Sequence, residues 1–290
     1  MFLSLLTGAI MIGAIYGLMG LACSLIYRAS GLMSFANGEF LMAGAFLGLT
    51  LFRDNHVPYF LTVVICVLSM FLAGFLMEKF IIRTILGKGG RSIQIVLVTI
   101  GISIVLQNIA SIAFSSDVQM FPSIFSSSFV QLGPVRIAPE SILGTLMAVV
   151  FMILLQFFMN GTKLGTAMRA AAQEPNAASV CSINVSFTKG LTWAISIMLA
   201  AVAGMLIGPV YGVHMGMGQT IGLKGFAAAV IGGYGNMLGA VIGGFIVGIV
   251  ETFAAGYISS NMKDFVSFAI LIVFLIVKPT GIFNAKIIEQ

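Results

Sequence analysis

A carboxylate set among apolar residues is the first group in this sequence whose chemistry needs explaining. Glu39 closes the run Ser34-Phe35-Ala36-Asn37-Gly38-Glu39, polar and helix-interrupting, and the apolar stretch Phe40–Phe52 follows it. At membrane depth such a side chain is costly unless it faces protein or water, so it is expected either on a solute's route or as the anchor of a broken helix. Asn37 and Gly38 join it as candidates, because a half-helix end leaves backbone groups unpaired that a zwitterionic solute can use. Lys224 is either a further member of that route or the cation that pairs with Glu39. A second carboxylate, Glu251, has apolar neighbours one turn away, Val247 and Ala255. A lipid-facing carboxylate costs a few kcal/mol, so Glu251 must face the subunit interior, a sister subunit or a membrane boundary.

Other chemistries are missing from the sequence. No Gly-x-x-x-x-Gly-Lys-Ser/Thr occurs, and Gly87-Lys88-Gly89-Gly90-Arg91-Ser92 has the wrong spacing and order for a phosphate cradle. Any ATP is therefore expected to be hydrolysed by a partner. The histidines His56 and His214 flank different apolar segments, and there is no His-x-x-x-His, Cys-x-x-Cys or paired-carboxylate motif. Cys23, Cys66 and Cys181 are scattered singly and read as fillers. No catalytic residue, metal site or cofactor is expected.

These residues sit in a chain that is 59% hydrophobic and only 8% charged, too little polar surface to clothe a water-soluble globule. Lipid is the natural solvent, and the fold class expected is all-α integral membrane, one transmembrane domain over residues 1–290. The net charge of +5 is concentrated in short connectors, which is a topology signal and implies no nucleic-acid partner. A helix needs about 20 residues to cross ~30 Å of hydrocarbon. Leu3–Tyr27, Pro58–Met77, Ser92–Ser115, Ile142–Met159 and Gly190–Tyr211 are long enough. Gly225–Val250 is longer still but is interrupted by the turn-prone Gly232-Gly233-Tyr234-Gly235-Asn236. Phe40–Phe52 and Phe265–Val277 are short, about 20 Å each as helices. About eight membrane helices result, with a broken helix near Glu39 and a re-entrant or broken one at Gly232–Asn236.

Orientation follows from the connectors. Lys79, Arg83, Lys88 and Arg91 crowd one, Lys163, Arg169 and Lys189 another, and Lys278 and Lys286 follow the last span, so these belong in the cytoplasm. Ser116–Ala138 carries little charge and belongs outside, as does the N-terminus. Eight ordinary crossings from outside would strand Lys278 and Lys286 on the wrong face. A short arm Leu223–Gly233 entering from outside and a longer arm Met237–Tyr257 returning there restores the parity. The order of elements over 3–114 repeats over 190–278, the pattern of an inverted repeat.

Residues 161–189 read as more than a loop. Thr166–Gln173 is an Ala-rich helical stretch ended before Pro175, and Asn176 is placed to cap a second short helix, Ala177–Cys181. Two short helices outside the bilayer form a knob suited to a groove on another protein. Gly239, Gly243, Gly244 and Gly248 set small residues at helical spacing, for close approach either within the chain or to a second subunit.

The stretch from Leu164-Gly165 to Ile183-Asn184-Val185, with Ala170, Ala171, Gln173, Pro175, Ala177 and Ala178, resembles the cytoplasmic coupling segment of permeases in the branched-chain amino acid ATP-binding-cassette importers. Ile26-Tyr27, Phe35 to Phe40 and Gly44-Ala45 resemble that family's first-half signature, except that Asn37 stands where a histidine is more usual. Gly222 to Gly233, Gly239-Ala240 and Gly243-Gly244 resemble its second-half signature. The resemblance covers the chain almost end to end and suits the shorter of the two permeases. It implies an importer of branched-chain amino acids in a prokaryotic cell membrane, with a second homologous permease, two cytoplasmic ATP-binding subunits and an extracytoplasmic solute-binding protein. It assigns Arg169, Ala170, Ala171, Gln173, Glu174, Asn176 and Ala177 to ATPase coupling. Urea or short-amide permeases of the same superfamily, an ion-coupled secondary transporter and a passive channel are the alternatives left open.

Overall fold

The computed structural model describes residues 2–89, 92–114, 117–122, 124–125, 130–132 and 135–283. Gly90, Arg91, Ser115, Ser116 and Lys286, counted above, lie outside the described residues. Twelve α-helices are described: α1 Phe2–Ser30, α2 Asn37–Leu49, α3 Tyr59–Met77, α4 Arg83–Gly87, α5 Ser92–Ala113, α6 Pro139–Gly161, α7 Lys163–Gln173, α8 Pro175–Val180, α9 Val185–Tyr211, α10 Met217–Gly232, α11 Met237–Tyr257 and α12 Lys263–Val277. Seven segments among the described residues are long and apolar enough to cross a membrane: Phe2–Ser30, Tyr59–Gly87, Ser92–Ala113, Pro139–Gly161, Val185–Tyr211, Met237–Tyr257 and Ser260–Val277. The short helices α2 and α10 complete the set, each entered through an irregular stretch.

Several boundaries differ from expectation. The segment expected as Phe265–Val277 begins at Ser260 through a short 3₁₀ turn, which gives it the length of a full crossing. The arm expected at Leu223–Gly233 starts at Met217. In the 116–138 connector an otherwise helical protein adds a small antiparallel hairpin, β1 (Val130–Leu132) paired with β2 (Val135–Ile137). Two π-helical turns, Thr50–Asp54 after α2 and Glu78–Ile82 after α3, carry charged residues at helix ends.

The core is built by α1 and α9, which are buried over most of their length because they are rich in Gly, Ala and Ser and so admit other backbones closely. α1 packs on α11, α10, α9 and α6; α9 packs on α3 and α2. By contrast α5, α6 and α12 present exposed Leu, Ile and Phe side chains to the surroundings, as lipid-facing helices do. Trp193 and Phe46 are fully buried, filling the centre beside these small-residue seams.

The two ends of the bundle are distinguishable. At one end α7 leans on α1 and α9, Arg83 donates to the Ser186 carbonyl at 2.9 Å, and Ile282 N donates to the Ile231 carbonyl, so the described basic connectors gather there. At the other end Arg53 donates to Gln119 at 2.9 Å, Gln119 pairs with Val213 by backbone, and β2 lies against α1. The turn joining α10 to α11 needs positive φ at Gly233 (108°) and Gly235 (92°), conformations that suit glycine. Asn236 caps α11 by accepting from Gly239 N at 3.0 Å.

Candidate functional site

The short helices α2 and α10 both begin inside the bundle, and their starts meet. A Cβ on Gly38 would strike the Gly218 carbonyl oxygen, and one on Gly218 would lie 2.7 Å from the Gly38 oxygen. Each glycine is the second residue of its helix, so the absence of side chains is what lets the two first turns touch. Neither helix start carries a side-chain cap. Two sets of first-turn N–H groups, each the positive end of a helix dipole, are thus brought to one place at depth.

A cavity of about 240 Å³ lies at that place. Its polar wall is Ser34, Asn37, Gly38 and Glu39 from the first half, Ser103 and Gln107 of α5, and Gly218, Gln219 and Gly222 of α10. Its apolar wall is Met19, Phe35, Ile100, Ile104, Leu223 and Phe226. Ile104 is 56% exposed and Phe35 39%, so the cavity opens sideways past α5. A larger groove of about 650 Å³ between α1, α6 and α11 is almost wholly apolar and offers little to orient a polar solute.

The three candidates on α2 are placed differently within this wall. Asn37 is satisfied: its amide donates to Ser196 Oγ at 3.3 Å and weakly to Cys23 Sγ, and its oxygen accepts from Ser34 Oγ at 3.2 Å. Ser196 in turn donates to the Ala22 carbonyl at 2.7 Å. Asn37 therefore ties α2 to α1 and α9. Glu39 is 3% exposed, accepts one hydrogen bond from Ser103 Oγ at 3.3 Å, and has no partner on Oε2 among the described residues. Gly38 supplies the close helix contact.

Lys224 is not in this wall, and the Glu39–Lys224 pair weighed from the sequence is not formed. Lys224 points from the opposite face of α10 and donates to Glu251 Oε1 at 2.7 Å, with Asp264 Oδ1 at 2.5 Å. Glu251 Oε2 accepts from Tyr16 Oη at 2.9 Å and from Ser267 Oγ at 3.3 Å. The cluster joins α1, α10, α11 and α12. Asp264, Tyr16 and Ser267 were not singled out from the sequence; the signal that pointed toward them was a lone cation and a lone carboxylate on two adjacent apolar helices.

The glycine stripe is occupied within the chain. A Cβ on Gly239 would strike the Gly232 carbonyl, on Gly243 the Ala228 carbonyl, on Gly244 the Gly17 backbone and on Gly248 the Gly13 backbone. These approaches seat α11 against α10 and α1.

The 161–189 segment forms α7 and α8. Thr162 caps α7 by accepting from Gly165 N at 3.0 Å. α8 starts at Pro175, not Ala177, so Asn176 lies inside its first turn and is not its cap; Glu174 occupies the cap position without a side-chain bond. Of the coupling candidates, Gln173, Glu174, Asn176 and Ala177 are exposed at the tip, while Ala171 is buried at 3% exposure and Ala170 is half-buried. Arg169 is half-buried and donates to Asn160 Oδ1 at 3.0 Å, which ties α7 to α6. Val180, overlooked in the sequence, is 86% exposed on the same tip. Among the described residues no cluster of His, Cys, Asp or Glu could hold a metal ion.

Residues 5–275 match the family described as the branched-chain amino acid transport system permease component. The chain is 33% identical to the high-affinity branched-chain amino acid transport system permease protein LivH of Escherichia coli K12, over 100% of this chain and 97% of that protein. It is 32% identical to BraD, the corresponding permease protein of Pseudomonas aeruginosa, over 100% and 98%. A probable LivH of Methanocaldococcus jannaschii is 28% identical over 96% and 91%. No solved structure matches.

Proposed function

The chain belongs to the branched-chain amino acid transport permease family, and from that premise we propose that it forms the translocation path of an ATP-binding-cassette importer for hydrophobic, branched amino acids. It is a multi-pass protein of the cell membrane. The observation that carries the proposal is the polar cavity at the meeting of α2 and α10, where Gly38 touches Gly218 and Glu39, with Oε2 unpartnered among the described residues, is part of the lining. Polar groups that can orient a solute and apolar side chains for its tail line the same cavity.

The lateral opening past Ile100 and Ile104 is the side on which a second, homologous permease would complete the wall. The end bearing α7 and α8 is read as cytoplasmic from its basic connectors. There Gln173, Glu174, Asn176, Ala177 and Val180 form a tip for two ATP-binding subunits. α7 rests on α1, and α1 contributes Met19 and Cys23 to the cavity, so a push on the tip has a packed route to the solute. The opposite end, with the β1–β2 hairpin, is the docking face for a solute-binding protein.

An inverted repeat over 3–114 and 190–278 within the single domain is part of this proposal. What supports it is that α1 packs on α10 and α11 as α9 packs on α2 and α3, while α1 meets α9 and α2 meets α10. Gly38 and Gly218 hold equivalent positions in that scheme. It gives a closed, two-sided path around one site, as alternating access needs.

Purification of the tagged chain from its own host membranes tests the assignment. A second permease and two ATP-binding subunits should copurify in fixed proportion. A functional species lacking them would remove the proposal in favour of ion-coupled transport.

A further inference from the structure

Resting on that reading of the cavity, we propose that Glu39 is the ligand of an ammonium subsite, so that the membrane path itself selects solutes bearing a primary amine over neutral amides of similar size. Glu39 is 97% buried, since its exposure is 3%, yet only one of its oxygens is bonded, Oε1 to Ser103 Oγ at 3.3 Å. Oε2 has no partner among the described residues, and Glu39 lines the cavity. An ionised carboxylate has acceptor capacity for about four hydrogen bonds, so most of that capacity is unspent.

Glu39 makes no ion pair among the described residues, and the nearby cation on α10, Lys224, is held elsewhere by Glu251 and Asp264. The two helix starts at Gly38 and Gly218 place partial positive charge beside the carboxylate, which favours an anion there but supplies no mobile counter-charge. A primary ammonium does. Its three N–H donors match Glu39 Oε2 and the side-chain oxygens of Gln107 and Gln219 on the same wall, and a bond between charged groups is about twice as strong as a neutral one. Ile104, one turn from Gln107 on α5, and Leu223, one turn from Gln219 on α10, take a branched apolar tail. Urea or a short amide brings no charge and offers the carboxylate only neutral donors.

The test uses the assembled transporter carrying Cys181→Ser and Ile100→Cys, a cavity-lining position that supplies no ligand to the ammonium, with labelling of the thiol introduced at position 100 read by mass spectrometry. The probes are 3-methylbutylamine, 4-methylpentanoate and urea. The amine should slow labelling at concentrations where the acid and urea do not. Glu39→Gln should weaken the amine's protection at least tenfold, and Glu39→Asp should keep part of it. Equal protection by the acid or urea, or undiminished protection in Glu39→Gln, would overturn the subsite. If Glu39→Gln does not assemble, the ranking of the three probes on the Glu39 protein decides. Amine protection without ATP-dependent uptake would sink the importer reading and leave the subsite; ATP-dependent uptake without amine protection would do the reverse.

Discussion

Gly38 and Gly218 touch backbone to backbone at the start of two short helices that come from opposite halves of the chain. Because a methyl group on either would collide with the other's carbonyl, the contact is a constraint on sequence and on the cavity's shape together. Gly218→Ala also places its methyl 2.7 Å from Glu39 Oε2. Each Gly→Ala change should cost about 1–3 kcal/mol through overpacking and lower uptake strongly. A melting temperature in detergent and an uptake rate, measured on each variant, check both parts.

Lys224→Met strands the Glu251 carboxylate, 4% exposed, without its cation. Breaking one side of a buried pair costs roughly 3–5 kcal/mol, whereas replacing both sides by apolar groups is far cheaper. Thermal unfolding should therefore rank Lys224→Met below the double variant Lys224→Met/Glu251→Met, which retains Asp264 with access to water at 47% side-chain exposure. A double variant as unstable as the single one would show that the pair is not what holds α10 to α11.

The tip and the root of the cytoplasmic knob should behave differently. Val180→Asp and Ala177→Glu alter exposed positions and should leave melting unchanged while reducing ATP-driven uptake by an order of magnitude or more. Ala171→Leu enlarges a buried residue and should cost about 1–3 kcal/mol. Melting curves and ATPase stimulation by loaded binding protein separate the two classes.

Gly244→Leu should dislodge α11 from α1, since even a single carbon there meets the Gly17 backbone. Loss of folded protein is expected. Gly243→Cys should likewise lower the yield of folded protein, since its Cβ meets the Ala228 carbonyl, and whatever assembles should give no cross-link to a sister permease. An efficient intersubunit product would contradict this packing.

The broken helix at Glu39 and the glycine turn at Gly232–Asn236 were legible in the sequence because each sets a local cost, a carboxylate or a chain reversal, that lipid does not tolerate. The course of α10 was partly legible: parity demanded an extra passage, but its start at Met217 depends on where Gly218 finds Gly38, a contact between distant parts of the chain. For the same reason Lys224 does not form the pair with Glu39 weighed from the sequence. Its partners Glu251 and Asp264 become neighbours only once α11 and α12 fold back on α10; the apolar surroundings of Glu251 mark it as needing a partner but do not say which. In the knob, Pro175 opens α8 where Asn176 had looked like the cap; proline suits the first helical position as well as asparagine suits the one before it. Which knob residues face outward was not readable, because Ala170, Ala171 and Ala177 are alike until the helices are set against α1 and α9.

The measurement that bears most directly on the whole account is accumulation of labelled leucine in sealed vesicles containing the chain alone, or the chain with its second permease and ATP-binding subunits, each supplied with binding protein outside and ATP inside. The account predicts uphill accumulation only in the complete assembly and only with ATP. Uphill accumulation by the chain alone would contradict it.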